Sequence, residues 1–345
     1  MKPVTIVGGG LAGLTLAIGL RQSGVPVTLY EAGSYPRHRV CGEFISGRGQ
    51  AVLSTLGLLP LLESCGMRQA QTAAWFQSGR SSAIRSELPE PAWCVSRHPL
   101  DLRLAEEFVR LGGHLEQRHR WTGVPKDEGI VMASGRRVQS SADGWRWWAL
   151  KTHVSNVSME ADLEMHLEPD GYVGLCRLSD GVVNVCGLFR SGSPQPDLAR
   201  TWRRWLQGSQ NSVLHSRFED ATFLDGTFAS VAGIALQPQK AAEQSEVRIG
   251  DALTLIPPVS GNGMSMALES AQLALDPIRA FSQSECSWTE AHRQIAQTCD
   301  TTFSRRLRWA GRLQWALFHR VPKSILWSMA SRQPALLRMG FALTR

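Results

Sequence analysis

Residues 3–13 read Pro3-Val4-Thr5-Ile6-Val7-Gly8-Gly9-Gly10-Leu11-Ala12-Gly13, and this stretch decides the fold. Its first half is a short β-branched run of the kind that forms a buried strand. Its second half is G-x-G-x-x-G. Leu11, Leu14, Ala17 and Ile18 then recur on one helical face. Gly24 closes the helix, and Val25 to Tyr30 form a second strand ending in Glu31. Strand, glycine turn, helix, strand and acid, in that order, open a Rossmann-like nucleotide-binding fold.

Each part has a physical job. Gly8 permits the tight turn, Gly10 lets a pyrophosphate approach the backbone, and Gly13 lets the helix pack on the strand. The helix tip, with Leu11 and Ala12 in its first turn, turns free N–H groups and the positive dipole end to the phosphates. Glu31, 18 residues beyond Gly13 and followed by Ala32, accepts hydrogen bonds from ribose hydroxyls and disfavours a 2′-phosphate.

The glycine motif leaves NAD and FAD both open. Residues 247–275 decide between them. Val247-Arg248-Ile249 reads as a strand, followed by Gly250-Asp251-Ala252, Ile256-Pro257-Pro258 and Gly261-Asn262-Gly263-Met264, which opens a helix through Leu275. Asp251 is placed to bond a ribityl chain, and Pro258 supplies a rigid wall without an N–H. Gly261, Gly263 and Met264 bring a second helix N-terminus to a flavin ring, where its dipole stabilises negative charge on the reduced ring. FAD is the expected cofactor.

With these motifs in place, the chain resembles the FAD-dependent oxidoreductase superfamily of aromatic hydroxylases, flavin-dependent halogenases and geranylgeranyl reductases. The resemblance extends to Arg37-His38-Arg39-Val40-Cys41-Gly42-Glu43-Phe44, similar to the loop after the second strand in that superfamily. It includes Ser96-Arg97 with Leu100-Asp101 and Leu104, similar to its helix start. Ala133-Ser134-Gly135-Arg136-Arg137 falls where the superfamily has A-D-G-x-x-S, with Ser134 in place of the aspartate. The resemblance implies that Arg39 and Arg97 lie at the cofactor and Cys41 and Glu43 at the reaction centre. Halogenases are set aside, because their W-x-W-x-I-P pattern falls where this chain reads Gly171-Tyr172-Val173-Gly174-Leu175-Cys176.

The implied architecture is α/β. A discontinuous Rossmann-like FAD-binding domain (GR2-type) covers 1–70, 95–140 and 246–300. A mainly antiparallel β-sheet substrate domain is inserted at 71–94 and 141–245, and a basic helical C-terminal segment covers 301–345. The sequence supports the sheet. Trp147–Asn156 and Leu163–Leu167 read as strands, and Gly171–Leu178 with Val182–Phe189 reads as a hairpin about Ser179-Asp180-Gly181. A Ser/Pro-rich loop covers 191–200, a short helix 201–210, and a further strand Arg217–Phe228. The tail reads as helices broken near Pro322 and Pro334.

Composition agrees with this picture. The 345 residues are 43% hydrophobic and 19% charged, ordinary for a globular chain of about two domains. The seven cysteines have no metal-ligand spacing, so no metal site is expected and a reducing cytoplasmic compartment fits. The formal charge of +7 divides into +9 over 301–345 and −2 elsewhere. A basic tail on a near-neutral body does not suit nucleic acid. It suits a solvated helix face or peripheral membrane contact. The uncharged stretches 3–20 and 252–268 are too rich in glycine or proline to span a membrane.

The expected function is an FAD-dependent monooxygenase of secondary metabolism, hydroxylating or epoxidising an apolar or aromatic small molecule through a flavin hydroperoxide. The alternatives are a geranylgeranyl-reductase-like reductase or desaturase of carbon–carbon double bonds, and a non-catalytic flavin-binding protein. No second glycine fingerprint is visible. NAD(P)H would therefore bind transiently, or a separate reductase would supply electrons.

Overall fold

The computed structural model describes residues 1–136, 144–192, 197–333, 340 and 343, with residue 199 described by its backbone alone. Val4–Val7 pairs in parallel with Val27–Glu31 on one side and Ile130–Met132 on the other. Val247–Arg248 and His114–Gln117 complete a five-stranded parallel sheet at its two edges. Parallel strands need covered faces. The helix Leu11–Gln22 buries Leu11 through Leu20 and packs against the helices Arg97–Arg110 and Gly263–Ser282. At Gly19 a Cβ would lie 3.0 Å from Leu275, so a small residue sets the spacing of two of these helices.

A second sheet runs in the order Thr222–Phe223, Arg146–Ser155, Val183–Ser191, Gly171–Arg177, Leu163–Glu168, Arg68–Gln77, Ile84–Cys94, Phe44–Ile45. Ala229–Ala232 also pairs with Arg146–Ser155. The pairing is antiparallel except between Arg68–Gln77 and Leu163–Glu168, which run parallel. The expected hairpin turns at Asp180 and Gly181, both at positive φ (56° and 72°), as a two-residue I′ turn requires. The helix expected at 201–210 forms earlier, over Leu198–Gln207, and Gly208 at φ 71° stops it.

The strand expected over Arg217–Phe228 is reduced to Thr222–Phe223, behind a helical turn at Val213–Ser216. The acidic pair Glu219-Asp220 and the turn at Gly226 (φ 73°) break the run. Phe218 and Phe223 stack instead on each other, their centroids 5.7 Å apart.

The tail forms two long helices, Trp288–Leu317 and Arg320–Arg332. The break falls at Phe318-His319, not at Pro322. Pro322 sits in the first turn of the second helix, where its missing N–H costs nothing. The break expected at Pro334 lies outside the described residues, as do Arg137 and residues 193–196 of the expected loop. Arg306 ties the tail to the Gly263–Ser282 helix through a buried ion pair with Glu269 (2.7 Å). Phe318 and Trp327 pack on Trp147 and Tyr172 of the second sheet.

Candidate active site

A cavity of about 1040 Å³ is walled by the second sheet, by residues just past the carboxyl ends of the parallel strands, and by the tail helices. That is at the upper limit of the roughly 300–1,000 Å³ usual for small-molecule sites. Its apolar side includes Trp75, Leu175, Leu188, Val231, Leu313 and Trp327.

Two helix N-termini open into it. Gly10 caps the Leu11–Gln22 helix with φ −85°, and a Cβ there would meet nothing within 4 Å. Gly263 begins the Gly263–Ser282 helix and is equally open. The neighbouring glycines are closed. A Cβ on Gly8, at φ +114°, or on Gly13 would drive into the Ala133 or the Gly8 carbonyl. Gly261, at φ +63°, lies against the Phe44 ring. Of the residues singled out in the sequence, Gly10, Leu11, Ala12, Arg39, Cys41, Glu43, Arg97, Asp251, Pro258, Gly261, Gly263 and Met264 form part of the cavity wall.

Four residues stand back from it. Gly8 and Gly13 are packed against backbone, and Ala32 is exposed at the strand end. Glu31 is buried and already bonded: it accepts from Gly9 N–H (3.0 Å), Gly33 N–H (2.7 Å) and Arg37 (2.7 Å). Burial raises the pKa of Glu31, but the Gly33 N–H, Arg37, Arg39 and the Gly9 N–H outweigh it and hold the carboxylate charged.

Asp251 is wetted by the cavity but otherwise surrounded by protein. That enclosure pushes its pKa up to about 6 against the pull of Arg97 and Arg136. The shift applies in full only when a ligand excludes water from the cavity.

The loop 37–44 is clamped in place. Arg97, itself buried, holds Asp101 through two bonds (2.7 and 2.8 Å), and Arg39 reaches the same carboxylate at 3.0 Å. Glu43 is fully buried at φ 59°. Its carboxylate takes Ser96 Oγ (3.2 Å), Arg97 N–H (2.9 Å), His153 Nε2 (2.6 Å) and Lys151 Nζ (3.5 Å). Burial raises its pKa; His153, Lys151 and the Arg97 N–H more than offset that. Four partners fill the lone-pair sites of one carboxylate and clamp the loop in place.

Cys41 has its carbonyl held by Asn184 Nδ2 (2.9 Å). Burial pushes its thiol pKa up despite Arg97, keeping it protonated.

Sequence reading gave no role to Lys151 or His153. Lys151 and His153 alternate on one strand, and Cys186 and Asn184 lie opposite them on the next, so all four share a face. Two ionisable groups at i and i+2 in an otherwise buried strand were the available signal. Lys151 Nζ also donates to His38 Nδ1 (2.8 Å), which places the proton of neutral His38 on Nε2. Burial, Lys151, His153 and His98 lower the His38 pKa to about 4. Donor atoms of His38, Glu43 and His153 lie within 4.8 Å of one another, as metal ligands would. The Lys151 ammonium, hydrogen-bonded to His38 and paired with Glu43, supplies the positive charge of that cluster.

Residues 1–144 match the family model described as FAD binding domain. Over the whole fold the chain is similar to a flavin-dependent brominase, Bmp2 (TM-score 0.78, 17% identity, covering 99% of this chain and 93% of that one). It is likewise similar to a geranylgeranyl bacteriochlorophyll reductase-like protein from Thermoplasma acidophilum (TM-score 0.77, 16%, covering 96% and 92%). An FAD binding domain thus covers residues 1–144, and the whole chain shares the fold of these flavin-dependent proteins. Among curated relatives, 3-amino-4-hydroxybenzoate 2-monooxygenase of Streptomyces platensis is 36% identical over 97 residues, 28% of this chain and 24% of that protein. The first curated relatives are thus matched over only about a quarter of their length. Likeness to the brominase is one of fold alone and carries no halide chemistry to this chain.

The residues present fit FAD. A Cβ at either open helix tip would fill the space that a diphosphate or a ring edge needs, and both tips share one cavity.

Proposed function

We propose that this protein is an FAD-dependent monooxygenase acting on an apolar or aromatic small molecule. One observation carries the reading: the open tips at Gly10 and Gly263 face one cavity whose far side is apolar. Gly10, Leu11 and Ala12 would hold the diphosphate, Asp251 the ribityl chain, and Gly261, Gly263 and Met264 the pyrimidine edge of the ring. Glu31 would take the ribose hydroxyls in place of Arg37. Bound FAD supplies hydride transfer and, once reduced, oxygen activation. The chain's own residues exclude water with the Trp75, Leu313 and Trp327 wall and hold the 37–44 loop against the ring position. NAD(P)H binding transiently, or a separate reductase, would deliver the electrons.

A second reading, reduction of a carbon–carbon double bond, is favoured by Cys41. A thiol kept protonated at the cavity wall is a proton donor for the carbon adjacent to the one that receives hydride.

Anaerobic reduction followed by rapid mixing with O2 separates the readings. A transient absorbance distinct from both reduced and oxidised flavin supports oxygen activation. Single-phase reoxidation with stoichiometric hydrogen peroxide rejects it in favour of the reductase. Purified protein that is colourless and takes up no FAD would sink both.

A further inference from the structure

The outward face of the two tail helices is apolar and basic at once. Helix Arg320–Arg332 buries Lys323, Trp327 and Ala330. On its opposite side Val321, Ile325 and Met329, four residues apart, are 69%, 54% and 50% exposed. A helix docked on one face normally carries polar residues there. On the preceding helix Arg305, Arg308, Trp309, Arg312 and Trp315 are all exposed, with the Arg312 guanidinium 5.1 Å from the Trp309 ring. Residues 301–345 contain eight arginines, one lysine and no acid. The patch is continuous with the cavity, because Trp309, Leu326 and Met329 are exposed and also form its wall.

We propose that this face docks on an anionic lipid bilayer, so that the cavity mouth opens into the acyl region and the substrate is an apolar molecule dissolved there. Charge complementarity selects the occupant. A second copy would set the exposed Arg305, Arg308 and Arg312 against their own like charges, whereas anionic headgroups neutralise them. Val321, Ile325 and Met329 enter below the headgroups, the arginines meet the phosphates, and the tryptophans sit at the boundary between them. No helix among the described residues is long and apolar enough to cross a membrane, so the docking is interfacial. The docking rests on the face alone; the substrate class rests also on the flavoenzyme reading above.

The test is flotation of the full chain, loaded with FAD, on vesicles of phosphatidylcholine alone and of equimolar phosphatidylcholine and phosphatidylserine. The protein should float only with the anionic vesicles and be released by high salt. A cation near such a surface is worth about fivefold in partitioning, so Arg305→Glu with Arg308→Glu should lower binding by at least about 25-fold. Val321→Ser with Ile325→Ser should lower it more than about tenfold. Neither pair touches the glycine cradle, so unchanged FAD content and thermal midpoint verify the fold of both variants. No flotation of the unmodified protein, or undiminished flotation of both variants, would overturn the docking. So would a lipid-free dimer that Ile325→Ser dissociates, which would make a second copy the occupant. FAD absorbance is read in the same fractions. Floating protein that cannot hold FAD keeps the docking and removes the substrate class, while yellow protein that stays at the bottom removes the docking alone.

Discussion

Gly10→Val separates the cofactor cradle from the fold. The backbone at Gly10 is extended (φ −85°, ψ −175°), and a Cβ there meets no atom within 4 Å, so valine enters without strain. Its cost to the protein is that of a poorer helix cap, about 1 kcal/mol, or about 2 °C in thermal midpoint. Its cost to FAD is larger, because the isopropyl group stands where phosphate oxygens meet the helix N–H groups. Two charge-assisted hydrogen bonds at about 1.5–3 kcal/mol each raise the Kd by roughly two to four orders of magnitude. Gly13→Ala does the opposite. Its Cβ strikes the Gly8 carbonyl, so the fold itself is destabilised. The assay is the thermal midpoint of FAD-stripped protein, since bound FAD adds its own stabilisation, alongside FAD titration followed by flavin fluorescence. Gly10→Val protein with undiminished FAD affinity would refute the cradle. Equal midpoint losses in both variants would refute the distinction between an open and a packed glycine.

Lys151→Met leaves Glu43 and His153 buried without their cation, and should cost about 3–5 kcal/mol, or about 6–10 °C in thermal midpoint, with little change in secondary structure by circular dichroism. Unfolded His38 binds a proton near 6.5 and folded His38 only near 4, so the unfolded state holds the extra proton in between. Stability should therefore fall as pH drops from 6.5 toward 4, and His38→Asn should flatten the part of the midpoint–pH curve that His38 supplies. Arg39→Ala leaves the Arg97–Asp101 pair standing; it should fold normally and weaken FAD about tenfold or more, whereas lost stability with intact FAD affinity would mark Arg39 as a loop brace only.

The first thirty residues could be read because strand, turn and helix there are local: Val4 to Gly13 carry their own periodicity and turn chemistry. The same holds for the hairpin at Asp180-Gly181 and for the second helix tip at Gly263. Arg217–Phe228 misled because it carries the aromatic and β-branched residues that strands favour, yet spends two of them on stacking Phe218 against Phe223. Glu43 was visible as an acid near the centre, but its partners were not. His153 lies 110 residues away and Asp101 meets Arg39 across 62. Pairings at that separation leave no local pattern. Glu31 shows the same limit from the other side. Its place at the strand end follows from spacing, but its occupation by Arg37 depends on a loop conformation that spacing does not determine.

That loop is where the two halves of the molecule meet. The second sheet grips it from one side through Lys151, His153 and Asn184, and the Arg97–Arg110 helix grips it from the other through Ser96, Arg97 and Asp101. Around the first helix tip, three guanidinium groups, Arg37, Arg39 and Arg97, answer two carboxylates, Glu31 and Asp101. One positive charge is left over beside the open glycine, where a diphosphate adds its own negative charge to the balance. The same backbone that carries Arg37 and Arg39 onto Glu31 and Asp101 carries Cys41 and Glu43 onto the second sheet only a few residues later. A shift of the loop on binding at one end therefore moves the wall of the other. The buried Glu43 cluster, with every bond on its carboxylate made, resists that shift and keeps both halves of the cavity in register.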